Sequence, residues 1–131
     1  MVAAATLAVM PDPMLVQVFG RNDSRDTRAA LRFFRERRVD AQFVDLARKP
    51  IAPGELRRFA DRLGARAVAD TAGKAWREAG LAYLRMDDAQ LFERLLADQR
   101  LLRLPLVRIG KGVAAGDDPS AWRDLLARAA P

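Results

Sequence analysis

Hydrophobic and polar residues alternate along the chain with a period that changes, and the changes mark its elements. Leu15-Val16-Gln17-Val18-Phe19 is a β-branched and aromatic run closed by Gly20, which predicts a strand. From Asp26 to Arg38 the period lengthens, with Ala30, Leu31 and Phe34 on one face and arginines on the other, which predicts a helix. Ser24 or Asp23 can cap it, and Asp26 suits the positive end of its dipole. Ala41-Gln42-Phe43-Val44-Asp45 returns to period two, a second strand. A strand, a helix and a strand at this spacing form a crossover, so the strands are expected to run parallel with a right-handed connection.

Pro50 and Pro53 interrupt the chain, and Pro53 fits the first turn of a new helix. Leu56, Phe59, Ala60 and Leu63 form its apolar stripe and Gly64 ends it. Lys74 to Ala79 is a shorter helical piece closed by Gly80. Asp87 or Asp88 opens a further helix with Leu91, Phe92, Leu95 and Leu96 on its apolar face. Pro105 to Ile109 predicts a strand, Gly110-Lys111-Gly112 a hairpin turn and Val113-Ala114-Ala115 the partner strand. Asp118-Pro119 starts a last helix with Trp122, Leu125 and Leu126 on its buried side. A β-α-β half followed by helices and a β-β-α half is the thioredoxin-fold order. It implies an α/β protein with a four-stranded mixed sheet flanked by helices and a helical insertion between the halves.

Residues 1–13, with Pro11 and Pro13 and no sustained period, read as a flexible leader, leaving 14–131 as a single domain. Met14 stands just before the first strand and is an alternative translation start. Trp76, Trp122, Phe33 and Phe34 are expected in the core.

Composition removes most catalytic chemistry. The 131 residues include no Cys and no His. That excludes disulfides, thiolate nucleophiles, Cys-ligated zinc, Ser-His-Asp triads and imidazole bases, and no metal site is expected. Lys and Arg number 23 against 17 Asp and Glu, for a formal charge of +6. The basic residues alternate with acids, as Arg94 and Arg100 do with Glu93 and Asp98, so a solvated surface explains them. No nucleic-acid recognition motif appears, and Gly110-Lys111-Gly112 is too short for a phosphate-binding loop. With no apolar run of about 20 residues and no basic signal region, the cytoplasm is the expected location and no membrane partner is expected.

The segment Phe19-Gly20-Arg21-Asn22-Asp23-Ser24-Arg25-Asp26-Thr27-Arg28-Ala29-Ala30 resembles the active-site loop of the arsenate reductase (ArsC), Spx and YffB family. Phe43-Val44-Asp45-Leu46, Pro53-Gly54-Glu55-Leu56, Gly73-Lys74-Ala75-Trp76, Gly80-Leu81 and Leu102-Arg103-Leu104-Pro105-Leu106-Val107-Arg108 follow in the family's order. The resemblance implies that Ser24 stands where the family's reductases carry their catalytic Cys, and that Pro105 is their cis-proline. It also implies a glutathione-coupled thiol mechanism, which this chain cannot perform. A helix N-terminus lowers a thiol pKa usefully but not a serine hydroxyl, and oxygen cannot form the mixed disulfide. The family's arginines match incompletely: Asp70 stands where an Arg is expected after Arg66, and Leu104 rather than Arg103 directly precedes Pro105.

Three readings of Ser24 stay open: a helix cap alone, an anion-binding hydroxyl, or a serine in place of a natural cysteine. Around it, Arg21, Arg25, Arg28, Arg103 and Pro105 are the candidate binding residues for phosphate, sulfate or a glutathione carboxylate, with Arg25 and Arg28 better explained as solvated helix residues. The favoured function is a family member without redox activity that binds a small anion or thiol ligand at Ser24, with no cofactor. The alternatives are a glutathione-coupled reductase whose natural residue 24 is Cys, and an Spx-like module that binds the transcription machinery as a protein partner.

Overall fold

The computed structural model describes residues 15–129; the expected leader and the alternative start at Met14 lie outside them. Four strands form one mixed sheet in the order β2-β1-β3-β4. They are β1 (Val16–Gly20), β2 (Ala41–Asp45), β3 (Leu106–Ile109) and β4 (Gly112–Ala115). β1 runs parallel to β2 and antiparallel to β3, and β3 pairs antiparallel with β4. The helices are α1 (Arg25–Glu36), α2 (Pro53–Leu63), α3 (Ala65–Val68), α4 (Lys74–Glu78), α5 (Asp88–Ala97) and α6 (Pro119–Ala129). Among the described residues no helix is long and apolar enough to cross a membrane.

Alternation along β1 sends successive side chains to opposite faces, and each face has its own core. Val16 and Val18 join Phe33, Phe34, Val107, Ile109 and Trp122 under α1 and α6. Phe19 joins Leu56, Phe59, Leu91, Leu95 and Leu106 under the helical insertion, where Trp76 is also buried. All four aromatics expected inside are buried there. Phe33 meets both Phe34 and Trp122 edge-to-face at 5.1 Å, an arrangement that stabilises aromatic pairs beyond their burial.

The observed boundaries depart from expectation in a few places. α1 begins at Arg25 and stops at Glu36, two residues before Arg38. Arg38 takes a left-handed φ of 57°. Its amide donates to the Arg35 carbonyl at 3.0 Å, and the Val39 amide to the Phe34 carbonyl at 2.9 Å. Those two bonds close a Schellman motif, usually made with glycine. α4 likewise ends at Glu78, with Gly80 left-handed at φ 69° just beyond. The insertion also holds α3 and two 3₁₀ turns, Leu81–Tyr83 and Gln99–Leu101, which have no periodic signature. Asp87, not Asp88, caps α5, and its carboxylate and the Gln90 side chain each accept the other residue's amide.

Candidate functional site

The carboxyl end of β1 delivers the chain into a tight turn and then into α1. Gly20 ends the strand because nothing larger fits: a Cβ there would collide with the side chain of Thr27, which is fully buried in the first turn of α1. The Arg21 amide donates to Thr27 Oγ1 at 3.4 Å, and the Ser24 amide donates to the Arg21 carbonyl at 3.0 Å. Ser24 is the cap, with extended dihedrals of −89° and 119°, and its Oγ accepts the Thr27 amide at 3.1 Å. Sequence left the cap between Ser24 and Asp23; the geometry resolves it because Asp23 is occupied elsewhere.

Asp23 is held by Arg21. The Nε and Nη2 of Arg21 lie 3.1 and 3.3 Å from its two carboxylate oxygens. These hydrogen bonds, and the charge behind them, hold the Asp23 carboxyl below its usual range and raise the Arg21 guanidinium. Arg28 turns back on the loop, its Nη1 donating to the Asn22 carbonyl at 2.6 Å. Arg25 is exposed, as the first residue of α1. The amides of Arg25 and Asp26 meet no acceptor among the described residues, so the positive end of α1 points two free donors outward.

Pro105 is buried ahead of β3, and the Leu104–Pro105 bond is cis. The Pro105 carbonyl accepts the Gly116 amide at 2.8 Å. Arg103 lies one step before that dipeptide, and its amide donates to the Val68 carbonyl at 2.8 Å. Its side chain runs across Gly116, where a Cβ would come within 2.6 Å of Arg103 Nε. Arg103 is thus laid along the loop after β4. Arg66 lies over the Trp76 ring at 5.9 Å, a position that accounts for it by packing.

Beside the Ser24 turn is a cleft of about 460 Å³ lined by Arg21, Leu46, Gln99, Arg100, Leu102 and Leu104. Of the residues nominated from sequence, only Arg21 lines it. Gln99 is structural: its side chain accepts the Ile51 amide at 2.8 Å and donates to the Ile51 carbonyl at 3.2 Å. Arg100 was not among the nominated residues. It pairs through Nε and Nη2 with Asp98 at 3.0 and 2.8 Å, and those hydrogen bonds hold Asp98 below its ordinary range. The signal lay in the Asp98-x-Arg100 spacing, which repeats that of Arg21-x-Asp23 in reverse; only the folded chain brings Arg21 and Arg100 to one cleft.

A β-α-β unit and a β-β-α unit sharing one mixed sheet, with a cis-proline ahead of the third strand, define a thioredoxin-like fold. The chain belongs to the ArsC family, whose model matches residues 19–125. It is similar to a solved YffB protein, at 26% identity and a TM-score of 0.75, over 85% of this chain and 98% of that one. It is similar in fold to an arsenate reductase from Vibrio cholerae, at 20% identity and a TM-score of 0.75, over 86% and 98% of the two chains. An arsenate reductase (ArsC) related protein from Brucella melitensis matches at 19% identity and a TM-score of 0.65, over 87% and 96%. No protein among those of curated function matches the sequence.

Proposed function

We propose that this chain is a non-redox member of the ArsC family that holds a small oxyanion at the Ser24 end of α1. The observation that carries the reading is the pair of free amides on Arg25 and Asp26, beside a serine that caps the helix and a chain with no thiol. By the resemblance, Ser24 stands at the reactive position of the family. A helix N-terminus with free donors favours an anion whether or not a nucleophile is present. Arg21 and Arg100 border the adjoining cleft and give it positive charge, and the setting we place it in is the cytoplasm. Asp23 competes for Arg21, so the site as it stands is a weak one. Calorimetric titration with arsenate, phosphate and glutathione tests this. Dissociation constants on the order of 1 mM are expected, tightening in Asp23→Asn, which releases Arg21. Absence of heat in both proteins with all three ligands contradicts it.

A second reading is favoured by one observation, the match of residues 19–125 to the ArsC family. In it, the natural residue at 24 is Cys and the protein is a glutathione-coupled reductase. Its test is Ser24→Cys. A thiolate there attacks the disulfide of oxidised glutathione, forming a protein–glutathione disulfide and releasing glutathione thiolate. A thiol pKa left near about 8.5 and no adduct by mass would remove this reading.

A further inference from the structure

β3 has two ends. Leu106 pairs with Phe19 at the Ser24 end, and Ile109 pairs with Val16 at the other. Beyond Ile109 the chain turns through Gly110 and Lys111 into β4. Around this far turn lies a cleft of about 710 Å³, bounded by the hairpin, by Arg58 and Arg62 of α2, and by Leu125 and Arg128 of α6. Its volume falls within the range of small-ligand sites. Arg108 completes its cationic lining.

The charge of this cleft is unevenly neutralised. Glu55 lies 3.5 Å from Arg58 and 3.9 Å from Arg108, and Asp124 lies 3.4 Å from Arg128. Arg62 and Lys111 are exposed and form no ion pair or side-chain hydrogen bond among the described residues. The C-terminal turns of α2 and α6 add partial negative charge, which takes up part of the excess but leaves the cleft net positive. Arg108 is held in place before any ligand arrives. Its Nε donates to the Gly110 carbonyl at 2.9 Å and its Nη1 to Gln17 Oε1 at 3.2 Å, and Gln17 donates in turn to Gln42 at 3.0 Å. That ladder crosses the sheet at a row where the neighbouring rows are apolar. Ile109, Leu125 and Ala129 supply an apolar wall to the same cleft. A cleft that combines anchored and unpaired cations with apolar surface suits a ligand that joins several anionic groups to an apolar body.

We propose that this cleft is a second binding site, for a small molecule carrying two or more phosphates, separate from the Ser24 site. The probes are ATP, inorganic tripolyphosphate and adenosine, titrated into the ¹⁵N-labelled full chain at near-physiological ionic strength. ATP and tripolyphosphate are expected to shift the amides of Ile109–Gly112 and of the last turn of α6, and adenosine is not. Tighter binding of ATP assigns a nucleotide, since only ATP reaches the apolar wall; equal binding assigns a free polyphosphate. Arg62→Gln with Lys111→Gln removes two unpaired surface cations, so it should weaken binding about tenfold or more with an unchanged melting temperature. The proposal is overturned by an unmoved hairpin, by shifts confined to the Ser24 turn, or by unaltered affinity in the double variant. Hairpin shifts with duplex DNA but not with ATP overturn it equally, in favour of a nucleic-acid surface.

Discussion

Gly20 and Thr27 are in such close contact that β1 and the first turn of α1 can meet only if residue 20 has no side chain. A Cβ on Gly20 would overlap Thr27 Oγ1 and lie 2.5 Å from Cγ2, and Thr27 cannot retreat because it is fully buried. This contact sets how the turn 21–23 presents Ser24. Gly20→Ala is expected to destabilise the protein by about 1–3 kcal/mol, the usual cost of overpacking. In urea denaturation, adding Thr27→Ala should recover a good part of that loss, whereas strictly additive losses would show that the contact does not govern the packing.

Arg38 is the one described non-glycine residue with positive φ, and it closes the Schellman motif after α1. The left-handed conformation costs an L-residue roughly 1–2 kcal/mol, against about 0.5–1 kcal/mol of extra chain entropy lost by glycine. Arg38→Gly should therefore stabilise the fold by about 0.5–1 kcal/mol. A fall in the thermal midpoint would mean that the arginine side chain contributes more than its backbone costs.

The pairing of Asp98 with Arg100 makes stability depend on pH in a definite direction. The hydrogen bond from Arg100 lowers the folded-state pKa of Asp98, so the folded protein holds its proton less readily than the unfolded chain. The contribution is present above the ordinary carboxylate range and is lost as the pH falls below about 4. It is modest, because Arg100 is largely exposed and Asp98 partly so. Asp98→Asn keeps an acceptor for the Arg100 amide but removes the charge. The stability gap between the parent and Asp98→Asn should narrow from pH 6 toward about 3; a constant or widening gap would assign the acid sensitivity elsewhere.

Much of the scaffold is legible in the chain because period and punctuation agree. β1 at Val16–Gly20 is a β-branched run ended by Gly20, and α2 carries Pro53 at its start and Gly64 at its end. The early stop of α1 was hidden because Arg38 takes a conformation normally given to glycine. α3 escaped notice because four residues make one turn, held by burial of Ala65 and Val68 rather than by a pattern of their own. At the site, Ser24 and Pro105 could be located by the order of motifs. The fates of the arginines could not: Arg21 turning to Asp23, Arg28 to the Asn22 carbonyl and Arg103 across Gly116 are all set by loop geometry. Arg100 joins the cleft beside Arg21 only through tertiary packing.

In the proposed function, position 24 is an anion site that outlives the thiol. The most direct test is a residue-resolved titration of the ¹⁵N-labelled protein with arsenate, following the amides of Ser24, Arg25, Asp26 and Thr27. Saturable shifts at Arg25 and Asp26, reduced in Arg21→Gln, are the predicted result. If those amides stay fixed while arsenate moves others, or moves none, the Ser24 end of α1 is a helix cap and nothing more.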